Sequence, residues 1–170
     1  MAEKVDYAQI AYLVCTESAA NTLTYSTLNI GQLSLLGDKF AMVIHRAEFE
    51  LDDWSTLNGT GDLCAAGITV SNALSAITLN YAEVITRQIW KRLDLGVAAS
   101  GSLEKLPVVR DFGELPGAGL IVPADRLYLA VKSEGATAAN TVKVRLYYTL
   151  KSLKPEEYWQ LVESRTILTT

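Results

Sequence analysis

Three groups of residues in this chain are of types that carry chemistry in other proteins. They are the Gly-x-Gly of Pro116-Gly117-Ala118-Gly119, His45 together with Cys15 and Cys64, and the acidic set Glu48, Glu50, Asp52 and Asp53. A phosphate loop needs glycines that lead into a helix, whose free N–H groups and dipole hold the anion. Here the glycines lead into LIVPADRLYLAV, an extended pattern interrupted by Pro123, with no Lys-Ser or Lys-Thr after them. They read as a turn that uses positive φ angles.

His45 is the only histidine, so a His-rich metal triad cannot be assembled. A Cys–His nucleophilic pair would draw on Cys15 or Cys64, but all three residues sit inside strand-like stretches. The cysteines read as two buried thiols, with a single bridge between them left open. His45-Arg46 reads as a partly buried pair that meets a carboxylate. Glu48 and Glu50 share a strand face and Asp52-Asp53 begin the next loop. A calcium site or a glycosidase pair would use such residues, but no Asp-x-Asp-x-Asp-Gly loop is present and a solvated strand end is expected. Asn58-Gly59-Thr60 fits both a glycosylation acceptor and a tight hairpin, and the hairpin is the expectation. Trp54, Trp90 and Trp159 are too scattered for a sugar platform and are expected as core and interface anchors. No catalytic constellation, cofactor or metal site is expected, and the chain is not expected to be an enzyme.

The elements that would position these residues follow period 2. In TVKVRLYYTLK, Val142, Val144, Leu146, Tyr148 and Leu150 fall on one face and Lys143, Arg145, Tyr147, Thr149 and Lys151 on the other, as in a strand with one dry face. Arg126–Lys132 repeats this, with Leu127, Leu129 and Val131 inward and Tyr128 outward. Further strands are expected at Tyr7–Thr16, Thr22–Ile30, Phe40–Leu51, Ala65–Val70, Val84–Leu95 and Pro107–Phe112, separated by Gly-, Asn- and Ser-rich turns. The apolar register of Phe40–Leu51 shifts near Ile44-His45, which fits a bulge or a strand covered on both faces at its start. Residues 71–82 fit a strand, a helix or a loop equally. KPEEYWQLVESR predicts a short helix, about 155–165: Pro155 suits the first position, and Glu156 and Glu157 suit the positive end. Tyr158, Leu161, Val162 and Arg165 share one of its faces.

With 170 residues, 49% of them hydrophobic and 20% charged, the chain reads as a single domain, 1–170, without repeat or linker. Eight strands and one helix predict an all-β, antiparallel jelly-roll sandwich with a short C-terminal helix. The net charge of -4 and pI of about 5.0 remove the drive for sequence-independent nucleic-acid binding. MAEKVDYAQ lacks the apolar core of a signal peptide, and no apolar run is long enough to span a membrane.

The segments FAMVIHRAEFEL, RDFGELPGAGLIVPADRLYLAVKSEG and NTVKVRLYYTLKSLKPEEYWQLVESR give the chain, from Tyr7 to about Arg165, a style similar to single jelly-roll capsid (virion structural) proteins of tailless icosahedral viruses of archaea and bacteria. The resemblance implies two packed four-stranded sheets and a self-assembling capsid subunit of the virion shell. Its partners would be copies of itself and other virion proteins, with no sequence-specific nucleic-acid contact. The N-terminus is not the basic arm of small RNA-virus coat proteins, which suits a shell whose inner side meets an internal membrane or another protein. Subunit contacts are expected at Tyr158, Trp159 and Leu161 of the helix, and at Tyr147 and Tyr128 on outward strand faces. The alternative is a lectin-like or TNF-like binding module, a spike, decoration or receptor-binding protein. Glu48, Glu50, Asp52 and Asp53 would then contact calcium or sugar.

Overall fold

A computed structural model describes residues 8–29, 39–92, 107–115, 119–124 and 126–167. Nine strands and one helix form among them: β1 Gln9–Thr16, β2 Thr24–Asn29, β3 Lys39–Leu51, β4 Leu63–Thr69, β5 Val84–Lys91, β6 Val108–Asp111, β7 Leu120–Val122, β8 Arg126–Glu134, β9 Thr141–Leu153 and α1 Pro155–Ile167. One sheet, here the A sheet, has the order β1-β9-β3-β6, with β7 also on β3; the B sheet has the order β2-β8-β4-β5. All pairings are antiparallel. Apart from β4–β5 and the short β6 and β7, each strand is followed by one in the opposite sheet. That alternation is the jelly roll.

The count differs from the eight strands expected because one strand is interrupted. β6 pairs with Arg46–Phe49 of β3 and β7 with Met42–Ile44, so the two share one edge. Opposite the break, the β3–β9 register shifts between Ile44 and Arg46, leaving His45 as the extra residue of a bulge. Phe112 N–H donates to the His45 carbonyl at 2.7 Å. Just beyond, Gly119 passes so close to β3 that a Cβ there would lie 2.6 Å from Val43 Cγ1 and 3.1 Å from the Ile44 carbonyl. The reason for glycine at 119 is therefore close approach, not the positive φ expected; Pro116, Gly117 and Ala118 lie outside the described residues.

The inward faces of both sheets supply the core. Leu13, Cys15, Phe49, Leu51, Val142, Val144 and Leu146 come from the A sheet, and Cys64, Ala66, Ile68, Leu127, Leu129 and Val131 from the B sheet. Of these, alternation assigned Val142, Val144, Leu146, Leu127, Leu129 and Val131 inward, and burying the whole set removes a large apolar surface from water. The bulge keeps Ile44 and Ala47, on its two sides, both fully buried.

Each sheet also has an outer face, and the two are covered differently. Residues 71–82, which fitted three structures equally, form neither strand nor helix but a strap of turns across the B sheet. Small residues there, Ala65, Gly67 and Ala130, make a trough that Ile77 fills; a Cβ on Gly67 would sit 2.6 Å from Ile77 Cγ2. Tyr25 Oη donates to the Leu74 carbonyl at 3.0 Å, and Arg87 Nη1 to that of Ile77 at 3.2 Å. On the A sheet, α1 covers only the region of Ala41, Ile121 and Leu153. At its start Glu157 accepts from Lys154 N–H at 3.3 Å, the returning half of a capping box, with a lysine where the box has Ser or Thr.

At the end of the sandwich where β1 finishes lies Glu17, only 3% exposed. Its carboxylate accepts from Ser133 N–H at 2.7 Å, Ser133 Oγ at 2.8 Å and Asn140 N–H at 2.9 Å. Asn140 Nδ2 donates to Ser133 Oγ at 2.7 Å, and its Oδ1 accepts from Thr56 Oγ1 at 2.6 Å. One acid thus ties together the β1–β2, β3–β4 and β8–β9 connections. Glu17→Ala leaves these donors buried and unpaired, so it is expected to cost about 3 kcal/mol of stability, and Glu17→Gln, which turns an amide toward donors, about 2 kcal/mol. Urea unfolding followed by circular dichroism measures both.

Candidate functional site

The open part of the A sheet's outer face is ordered in rows across three strands. Ile10 of β1 stands beside Tyr147 of β9 and Arg46 of β3; Tyr12 beside Arg145 and Glu48; Val14 beside Lys143 and Glu50. The β1 members are apolar or aromatic and strongly exposed, at 47% for Ile10, 67% for Tyr12 and 53% for Val14. Between the lanes runs a groove of about 200 Å³ bounded by Tyr12, Glu48, Glu50, Pro107, Lys143 and Arg145.

The charges of this face compensate one another. Arg46 contacts Glu48 at 2.7 Å, Arg145 contacts the same carboxylate at 3.4 Å, and Lys143 Nζ reaches Asp52 at 2.6 Å. Tyr147 Oη lies 3.4 Å from Glu48. The hydrogen bond to Asp52 raises the Lys143 pKa, with Glu50 adding to the effect. The Arg145 guanidinium lies over the Tyr12 ring, 5.4 Å from its centroid, and Arg46 over Tyr147 at 5.6 Å. Asp53 holds the next turn, accepting from Ser55 N–H and Oγ, each at 2.8 Å. The acidic set is thus spread over paired cations and a turn, and among the described residues no three His, Cys, Asp or Glu side chains are grouped to hold a metal.

Beside the rows, His45 Nε2 lies 3.0 Å from Thr149 Oγ1, and Arg46 of the expected pair meets the Glu48 carboxylate. Cys15 and Cys64 are buried and unlinked. Burial pushes the Cys15 thiol up to about 11 and the Cys64 thiol up to about 12, with the nearby Glu17 contributing to both shifts. The Asn58-Gly59 hairpin is corrected. Residues 52–62 cross from the A sheet to the B sheet, and the turn there runs from Gly59 to Asp62, whose N–H donates to the Gly59 carbonyl at 3.1 Å, with Gly61 at φ 91°.

The residues expected to carry subunit contacts are not brought together. Tyr158 is buried against Ala41 and Leu153 of its own chain, with Leu161 and Val162 packed beside it. Of the helix residues singled out, Trp159 remains open, 54% exposed, its ring set edge-on to Tyr158. Tyr147 is half-buried beneath Arg46, and Tyr128 is half-buried on the opposite sheet, edge-on to Tyr25 at 6.3 Å. Trp90 is buried in the core and Trp54 packs against it. Sequence reading passed over Ile10, Tyr12 and Val14. The signal was there: QIAYLVCT is apolar on both faces and carries no charge, the pattern of a strand with neighbours on both faces.

The strand order defines the chain as a jelly-roll β-sandwich. No family model matches it, and no curated protein matches it. Among solved structures it is similar to one described as Desmodium yellow mottle tymovirus, at 11% identity and a TM-score of 0.33, over 91% of this chain and 93% of that one.

Two outcomes follow from these placements. Tyr158→Ala should lower stability by about 2 kcal/mol by opening the helix packing, and Trp159→Ala by less than about 0.5 kcal/mol, as read from urea midpoints. The thiols should resist Ellman's reagent at pH 8 until the protein is unfolded. Because their folded-state pKa values lie above the ordinary 9.0, the native state retains protons that the unfolded state loses. Stability is therefore fully present below about pH 9 and falls as pH rises from there toward 11. Melting temperatures between pH 8 and 10.5 should decline, and less so in Cys64→Ala than in the parent.

Proposed function

We propose that this chain is a structural protein, a capsid subunit that assembles with copies of itself and other virion proteins into the shell of a virion, and that it is not an enzyme. The observation that carries this reading is the exposed apolar lane Ile10, Tyr12 and Val14, on a sandwich whose other outer face is partly covered by its own strap. Soluble monomers seldom present such an ordered apolar strip at a sheet edge, where it invites association. In this reading the rigid sandwich is a tile. Modest contacts suffice because a closed shell repeats each of them many times.

The acidic balance, a net charge of -4, argues against genome neutralisation by this subunit and suits an inner face that meets a membrane or another protein. No helix among the described residues is long and apolar enough to cross a membrane. The resemblance in sequence style supports a tailless icosahedral virus of archaea or bacteria as the source of the virion.

A second reading, a binding module, rests on the groove that Tyr12, Glu48, Glu50, Lys143 and Arg145 line, since an aromatic ring beside charged groups suits a polar ligand. Light scattering and negative-stain imaging of the purified protein separate the two. Symmetric oligomers or shells that grow with concentration are expected. A monomer at every concentration up to the solubility limit, binding a defined glycan, would replace the first reading with the second.

A further inference from the structure

The sandwich has two long sides, and they differ in charge. On one side β6 and β5 lie together, joined by Arg110 Nη2 donating to Gln88 Oε1 at 2.8 Å. These strands carry Arg110, Asp111, Arg87 and Lys91. On the other side β1 lies over β2, with Cys15 Sγ donating to the Thr24 carbonyl at 3.4 Å and Ser18 N–H to Thr24 Oγ1 at 2.9 Å. Neither β1, QIAYLVCT, nor β2, TYSTLN, contains a charged residue or a proline.

Among the described residues, β9 is the only strand paired with β1, and that ladder runs from Gln9 to Thr16 without a bulge. Sheet edges are ordinarily protected by a lysine, a proline, a bulge or shortness, and β1 has none of these. Glu17 N–H donates to the Asn140 carbonyl at 2.9 Å, one step beyond the ladder. The two-residue alternation of an extended backbone then directs the amides of Cys15, Leu13 and Ala11 toward β9. It directs those of Ile10, Tyr12 and Val14 to the open edge. The residues with free backbone groups are the same ones with exposed apolar side chains.

We propose that two copies of the chain join edge to edge through β1, antiparallel about a two-fold axis beside Tyr12, so that their A sheets become one continuous sheet. This deepens the self-assembly reading and rests on it. The partner is a second copy because the edge matches itself: an antiparallel two-fold pairs identical strands and satisfies both rows of backbone groups. With the axis at Tyr12, Ile10 faces Val14 and Tyr12 faces Tyr12 on the outer side, while Ala11 faces Leu13 on the core side. Every pair is apolar or aromatic, and no charge loses its hydration. The β5/β6 side, by contrast, would bring Arg87, Lys91 and Arg110 into an interface.

Opposite-charge exchange at Tyr12 tests this. Its ring is open to solvent on one side and carries the Arg145 guanidinium on the other, so Tyr12→Glu should melt like the parent and Tyr12→Lys, set opposite Arg145, slightly lower but still cooperatively folded. Across the two-fold each places like charges face to face, and sedimentation should show the two-copy dissociation constant raised about tenfold or more in each. An equimolar mixture of the two variants should restore association to within about threefold of the parent. Single variants that associate like the parent would overturn the β1 edge while leaving self-assembly standing. So would a mixture that is not restored, since the partner of Tyr12 would then not be Tyr12. A parent protein that is monomeric throughout would overturn both.

Discussion

The buried carboxylate of Glu17 is the constraint on which the shape of this sandwich depends. Two sheets packed face to face by hydrophobic burial alone can slide, because that attraction has no direction. Directional bonds at one end remove the freedom. Ser133 follows the inward register of β8, Asn140 precedes β9, Thr56 lies in the β3–β4 connection, and all three converge on Glu17 or on one another. An acid costs much to bury unless its lone pairs are satisfied. Here backbone N–H groups of two different segments satisfy it, so the network is complete only when both sheets are in register.

Glycine and alanine settle a different matter, which faces are closed. Gly67 and the alanines beside it open a trough on the B sheet for Ile77, and Gly119 lets β7 approach β3 beside the His45 bulge. Side chains of ordinary size would hold the strap and the interrupted strand away and leave apolar surface wet on both sides. The result is asymmetry: one face crossed by a strap that buries Ala65 and Ala130, the other covered by α1 at one end and exposed along β1.

Much of this was legible in the sequence, for local reasons. Alternation in TVKVRLYYTLK and RLYLAVK fixed which residues face inward, the register slip at Ile44-His45 announced the bulge, and Pro155 with two glutamates announced the helix. What was not legible depends on contacts distant along the chain. Glu17 followed by Ser18 looks like any solvated strand end, because its donors lie more than a hundred residues away. The helix pattern put Tyr158 and Leu161 on one face but could not say that β3 and β9 of the same chain would cover it. The acidic set of β3 and its loop read as a solvated strand end because the cations that answer it, Lys143 and Arg145, belong to another strand. For β1 the pattern was correct and its context hidden: a strand apolar on both faces reads as central, yet the topology sets it at an edge.

That mismatch connects the core network to the outer surface. An edge strand is held on one side only and ordinarily frays, so a partner must first pay the entropy of ordering it. In this chain β1 ends directly in Glu17, and Cys15 donates to Thr24 across the sandwich. The core face of the strand is filled by Ala11, Leu13 and Cys15. Its far side is thus fixed before any partner arrives, with the Tyr12 ring braced by Arg145. Preorganisation of this kind raises affinity by removing a cost rather than by adding contacts. The same buried acid that locks the two sheets in register therefore also holds the uncharged edge straight, so under the proposed edge pairing internal stability and association would have one physical origin.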